Sequence, residues 1–167
     1  MPDKKQILSF AVIGIAGLTV LFCILALALP DWFDGNGSKS GLWKTCFLSI
    51  CFSFKDITVP DWMEAIRAFA FLGLFAMVGA TVTFVLNTFI MKDKPILLYL
   101  TIGFSAATGC FMIIAFAIYA DKSGISEYGA SKYGAGFALC IIAWPLAWTV
   151  SGLCVVIMLM NRSVAKI

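Results

Sequence analysis

The chain has 167 residues, of which 62% are hydrophobic and 13% charged, against about 45–50% and about 25% in soluble domains. That excess of apolar side chains needs a solvent other than water. A net charge of +3, with the basic residues forming no patch, is too small to argue for nucleic acid, so no nucleic-acid partner is expected; the absence of histidine removes the commonest proton shuttle and metal ligand.

Four apolar runs bounded by charges follow in order, at residues 7–29, 68–90, 96–120 and 137–160. Each is long enough to cross a hydrocarbon core of about 30 Å as a helix. None has the polar face of a soluble core helix. The first run follows Lys4 and Lys5 and contains Ala26-Leu27-Ala28, which would suit a cleaved signal peptide. Its length of 23 residues exceeds the roughly 7–15 of a signal's apolar region, so it is expected to remain as a span.

Four spans put residues 1–6, 91–95 and 161–167 on one side of the membrane and residues 30–67 and 121–136 on the other. Lys4, Lys5, Lys92, Lys94, Arg162 and Lys166 crowd into the short segments. Lys39, Lys44, Lys55, Arg67, Lys122 and Lys132 are spread over the longer loops. The positive-inside rule weights charges in short segments near span ends and so places both termini in the cytosol.

The long loop contains the most specific pattern. It reads Pro30-Asp31-Trp32, then Gly41-Leu42-Trp43, then Cys46 and Cys51. The stretches 42–47 and 50–54 are rich in β-formers, and Leu48-Ser49 between them is short enough for a hairpin turn. Cys46 and Cys51 then face each other within bridging distance, and an oxidising exterior preserves a disulfide. Two unpaired thiols are the alternative, and two cysteines are too few ligands for zinc. Cys23, Cys110, Cys140 and Cys154 lie inside apolar runs as small hydrophobes.

Trp32, Gly41-Leu42-Trp43, Cys46 and Cys51 resemble the W–GLW–C–C signature of the claudin superfamily. That superfamily includes claudins, epithelial membrane proteins, peripheral myelin protein, the lens fibre membrane protein and calcium-channel γ subunits. Ala65 to Phe69 looks like its arginine at the start of the second helix, here Arg67. Tyr133 to Phe137 and Ala143-Trp144 look like its entry to the fourth helix. The resemblance covers nearly the whole chain. It implies a claudin-like fold, an all-α transmembrane four-helix bundle carrying a small extracellular antiparallel β-sheet. It also implies that Trp32 and Trp43 pack the sheet on the bilayer surface; both, with Trp62, read equally as interfacial anchors. The spacing of the two cysteines is nearer to the lens and epithelial branch than to true claudins. The tail, Asn161 to Ile167, is shorter than the one by which many claudins dock scaffold proteins, so such docking is not expected.

Arg67 would cost about 2.5–3.5 kcal/mol if it faced lipid at mid-span, and less near an interface. A carboxylate partner is expected, with Glu64 one turn earlier and Asp31 or Asp61 as further candidates. The residue reads as a strut between sheet and helix, with a role in ion passage as the alternative. Asn36-Gly37-Ser38 fits an N-glycosylation acceptor. Ala76 and Ala80, Gly103 and Ala107, Ser105 and Gly109, and Ala143, Ala147 and Ser151 repeat at four-residue spacing, which suits close helix packing. Pro145 is placed to bend the last helix.

No catalytic constellation or cofactor motif is present, and the middles of the spans lack the ionisable groups a carrier needs. The expected function is contact: a plasma-membrane protein at cell–cell junctions, organising adhesion or a barrier with itself or related tetraspan proteins. Phe33, Phe47, Leu48, Phe52 and Phe54 are the candidate contact surface, some of them packing the sheet instead. The alternative is an auxiliary subunit of a channel or receptor, like the calcium-channel γ subunits. The outer loops balance at −1, which predicts no clear ion selectivity.

Overall fold

The computed structural model describes residues 4–35, 38–47, 50–54, 59–91, 94–122 and 132–164. The chain forms α1 (Lys4–Ala28), β1 (Phe33–Gly35), β2 (Ser38–Ser40), β3 (Lys44–Phe47), β4 (Ile50–Ser53) and α2 (Asp61–Val85). A π-helical turn over Leu86–Ile90 extends α2, and α3 (Pro95–Lys122), β5 (Lys132–Tyr133) and α4 (Ala135–Val164) complete the chain.

Each helix contains one of the apolar runs, and all four are long and apolar enough to cross a membrane. Their ends have local causes. Pro30 disfavours helical geometry at Leu29, so α1 stops at Ala28. The second helix begins about two turns before the expected Ala68, after Pro60, with Asp61 and Glu64 in its first turn. Those carboxylates suit the positive end of the helix dipole. Charge ends a hydropathy run there without ending the helix. The last helix runs unbroken through Pro145.

The helices pack in a ring, each against its neighbours in the order α1, α2, α3, α4 and back to α1. Polar contacts join neighbouring helices at several points. Thr83 and Thr101 hydroxyls meet at 2.9 Å, and Thr108 Oγ1 donates to the Gly73 carbonyl at 3.2 Å. The interior is small or polar at many positions, including Ala16, Ala80, Ala143, Ala147, Thr19, Thr101, Ser105 and Thr108. Large residues such as Phe75, Ile96 and Leu159 point outward. Of the predicted small pairs, Ser105 with Gly109 and Ala143 with Ala147 lie inside, whereas Gly103 is exposed. In each apolar window only 28–33% of residues are buried within the protein. Such a bundle leaves most of its apolar surface to a surrounding phase.

At one end sits a sheet of order β4-β3-β2-β1-β5, every pairing antiparallel. Beneath it Trp32, Leu42, Ile66, Tyr119 and Phe137 form a buried cluster. A second cluster of Val12, Met77, Phe84, Leu98, Val150 and Ile157 fills the opposite end.

Candidate functional site

The sheet is fixed to the bundle through its tryptophans. Trp32 is fully buried, and its Nε1–H donates to the Ala26 carbonyl at 2.6 Å. That acceptor is one of the last carbonyls of α1, which has no partner within its own helix. The Trp32 ring meets Tyr119 of α3 at 5.0 Å and Phe137 of α4 at 6.0 Å, both edge-on. One side chain thus joins three helices, and Gly136 makes room for it. A Cβ there would lie 2.6 Å from Trp32 Cδ1.

Trp43 repeats the device further out. Its Nε1–H donates to the next α1 carbonyl, that of Leu27, at 2.8 Å, and its ring stays 39% exposed. Leu42 between the two tryptophans is fully buried. Gly41 precedes it because the backbone there runs against Pro30, so that any Cβ would collide with the Pro30 Cα.

Arg67 joins this group from α2. Its Nε donates to the Leu42 carbonyl at 2.8 Å, and Nη2 donates to the same oxygen. Its guanidinium lies 4.7 Å from the Trp43 ring centroid and 5.8 Å from that of Phe54. The expected carboxylate is not its partner among the described residues. Asp31 instead meets Lys39 at 3.7 Å, and Lys39 also meets Asp34 at 3.4 Å. A carbonyl and two ring faces hold the cation without a second buried charge, which avoids desolvating an ion pair.

Cys46 and Cys51 are direct partners across β3 and β4 and are bridged, with Cα atoms 4.0 Å apart. Leu48 and Ser49, where the hairpin turn was expected, lie outside the described residues, as does Asn36 of the glycosylation acceptor. Facing residues share one side of a sheet, and the side alternates along each strand. Phe47 and Ile50 are partners, as are Thr45 and Phe52, so these four lie on the face opposite the disulfide. Phe47 is 58% exposed, Ile50 63% and Phe52 51%.

The candidate contact residues therefore divide. Phe47 and Phe52 are exposed, while Phe33 packs on the cluster below the sheet and Phe54 covers Arg67. Ile50 is an exposed member that the sequence reading missed. Its position opposite Phe47 across the expected turn was the available signal. The second loop also contributes unexpectedly: β5 adds to the free side of β1, and Tyr133 stacks on Phe137 at 4.3 Å.

No family model matches the chain, and no curated protein matches it in sequence.

Proposed function

We propose that this chain is a four-span plasma-membrane protein of claudin type that makes contact with a neighbouring molecule through the β3–β4 hairpin. The carrying observation is the apolar face of Phe47, Ile50 and Phe52, more than half exposed on a hairpin at the sheet's edge. Contiguous exposed apolar side chains of this kind mark interaction surfaces. The disulfide holds the hairpin in one shape before contact, which lowers the ordering cost of binding. Support for the membrane setting comes from helices whose large apolar residues face outward around a core of small ones. Support for the claudin type comes from Trp32, Gly41, Leu42, Trp43 and Arg67, which meet between sheet and bundle, and from Cys46 and Cys51, which are bridged within the β3–β4 hairpin. The termini then lie in the cytosol and the sheet outside, where it meets a like molecule in the same membrane or the opposed one.

Expression in non-adherent cells tests this. The proposal predicts new cell–cell contacts with the protein concentrated at them. Dispersed cells, with a channel or receptor retained on the protein in mild detergent, would replace it with an auxiliary-subunit role.

A further inference from the structure

At the end of the bundle opposite the sheet, α1, α2 with its π-helical turn, and α4 line a partly open cavity of about 330 Å³. That volume is within the range of small-ligand sites, about 300–1,000 Å³. Lys5, Gln6 and Ser9 line it from α1, Asn87 and Thr88 from the π-helical turn, and Asn161 from α4. Among the described residues no carboxylate lines it, and none of these six side chains has a hydrogen-bond or ion-pair partner. Ser9 stands out, because it is nearly buried yet makes no bond to its own helix. Thr19, Thr81 and Ser105, by contrast, each donate to the carbonyl one turn earlier.

One ammonium and five neutral polar groups, with no carboxylate among the described residues, match a ligand rich in anionic oxygen atoms. A phosphate has that chemistry. The π-helical turn brings Asn87 and Thr88 into the lining, and such turns recur at functional sites. The apolar part of the lining identifies the carrier of the phosphate. Phe84 and Ile157 are buried in the wall, while Phe10 and Phe89 line the same cavity and are each 57% exposed on the outer surface of the bundle. A free phosphate ion gains nothing from exposed phenyl rings, whereas acyl chains do.

We propose that this cavity seats the phosphate head group of an anionic phospholipid, with the acyl chains along Phe10 and Phe89. This rests on the membrane-spanning arrangement with cytosolic termini, which puts the cavity at the leaflet where anionic lipids concentrate. The head group bridges α1, α2 and α4 and so braces the bundle at the end the sheet does not reach.

The test uses the full chain in nanodiscs of phosphatidylcholine, with phosphatidic acid or inorganic phosphate added in separate series. Thermal unfolding is followed by tryptophan fluorescence, and retained lipid by native mass spectrometry. Phosphatidic acid is expected to raise the unfolding midpoint and to stay bound to the ejected protein. Lys5→Gln should weaken its apparent affinity about tenfold, the loss of one direct hydrogen bond between charged groups. Asn87→Leu should weaken it about tenfold, the loss of one hydrogen bond to a charged group. Lys4→Gln, outside the lining, should change nothing. If Asn87→Leu does not fold, the comparison of the exposed Lys5 with Lys4 decides. Equal loss from both lysine variants would reduce the effect to surface charge and overturn the proposal. Equal stabilisation by inorganic phosphate would overturn the lipid assignment. Failure to enter the nanodiscs would overturn the membrane arrangement and this site together, whereas entry without lipid preference overturns the site alone.

Discussion

The Arg67 guanidinium lies 4.7 Å from the Trp43 ring centroid while its Nε donates at 2.8 Å to the carbonyl of Leu42, the residue just before that tryptophan. The second helix thus grips the backbone of the sheet's inner turn and one of its rings with a single side chain. Arg67→Ala removes a charged hydrogen bond worth about 1.5–3 kcal/mol and a cation–π contact worth about 0.5–1 kcal/mol. It should lower stability by about 2–4 kcal/mol and reduce the yield of folded protein. Arg67→Lys keeps the charge but loses the planar fork and should fall between the two. Thermal unfolding in detergent, with surface expression as a second measure, checks the order.

Two glycines should behave in opposite ways. Gly41→Ala drives a methyl into the Pro30 backbone, which has no rotamer by which to yield. A loss of more than about 2 kcal/mol is expected, in line with overpacked sites. Nothing lies within 4 Å of a Cβ built at Gly103. Gly103→Ala should therefore leave stability unchanged or raise it by up to about 1 kcal/mol through helix propensity. Unfolding midpoints of the two variants give the comparison.

The disulfide closes a very short loop, with a separation of 5 residues. Chain-entropy reasoning gives such a closure about 2 kcal/mol. Replacing Cys46 and Cys51 together by serine should loosen the hairpin while leaving the four helices formed. Far-ultraviolet circular dichroism should stay near wild type, and hydrogen exchange should quicken at β3 and β4. Global loss of helix would mean that the bridge supports the bundle as well.

With four crossings, an epitope at Met1 and one inserted between Lys122 and Lys132 must lie on opposite sides of the membrane. Antibody labelling of intact and permeabilised cells reads this directly. The N-terminal tag is expected to need permeabilisation and the inserted tag to be reached without it. A glycosidase-sensitive mass on Asn36 would report the same outer side.

The helices were legible because four apolar runs admit few other structures, and the hairpin because β-formers flank a two-residue connection with a cysteine on each side. Other strands left no such trace. Phe-Asp-Gly, Ser-Lys-Ser and Lys-Tyr have too few residues to alternate, and they become strands only by pairing with one another. The partner of Arg67 was misjudged because charge rules look for a carboxylate, whereas the acceptor is a backbone carbonyl, that of Leu42, 25 residues earlier in the chain. The cavity opposite the sheet was invisible for a similar reason. Ser9, Asn87 and Asn161 are unremarkable singly and meet only once three helices are packed and Leu86–Ile90 winds as a π-helix.

The central claim is that the exposed face of the β3–β4 hairpin makes the contact. Its most direct test is the enrichment of the protein at borders between expressing cells, measured for wild type and for the combined Phe47→Ser, Ile50→Ser and Phe52→Ser variant at matched surface levels. Exposed substitutions of this kind should change stability by no more than about 0.5 kcal/mol each, so both proteins reach the surface. Enrichment for wild type and its loss in the variant is the predicted result. Undiminished enrichment in the variant would place the contact elsewhere and contradict the account.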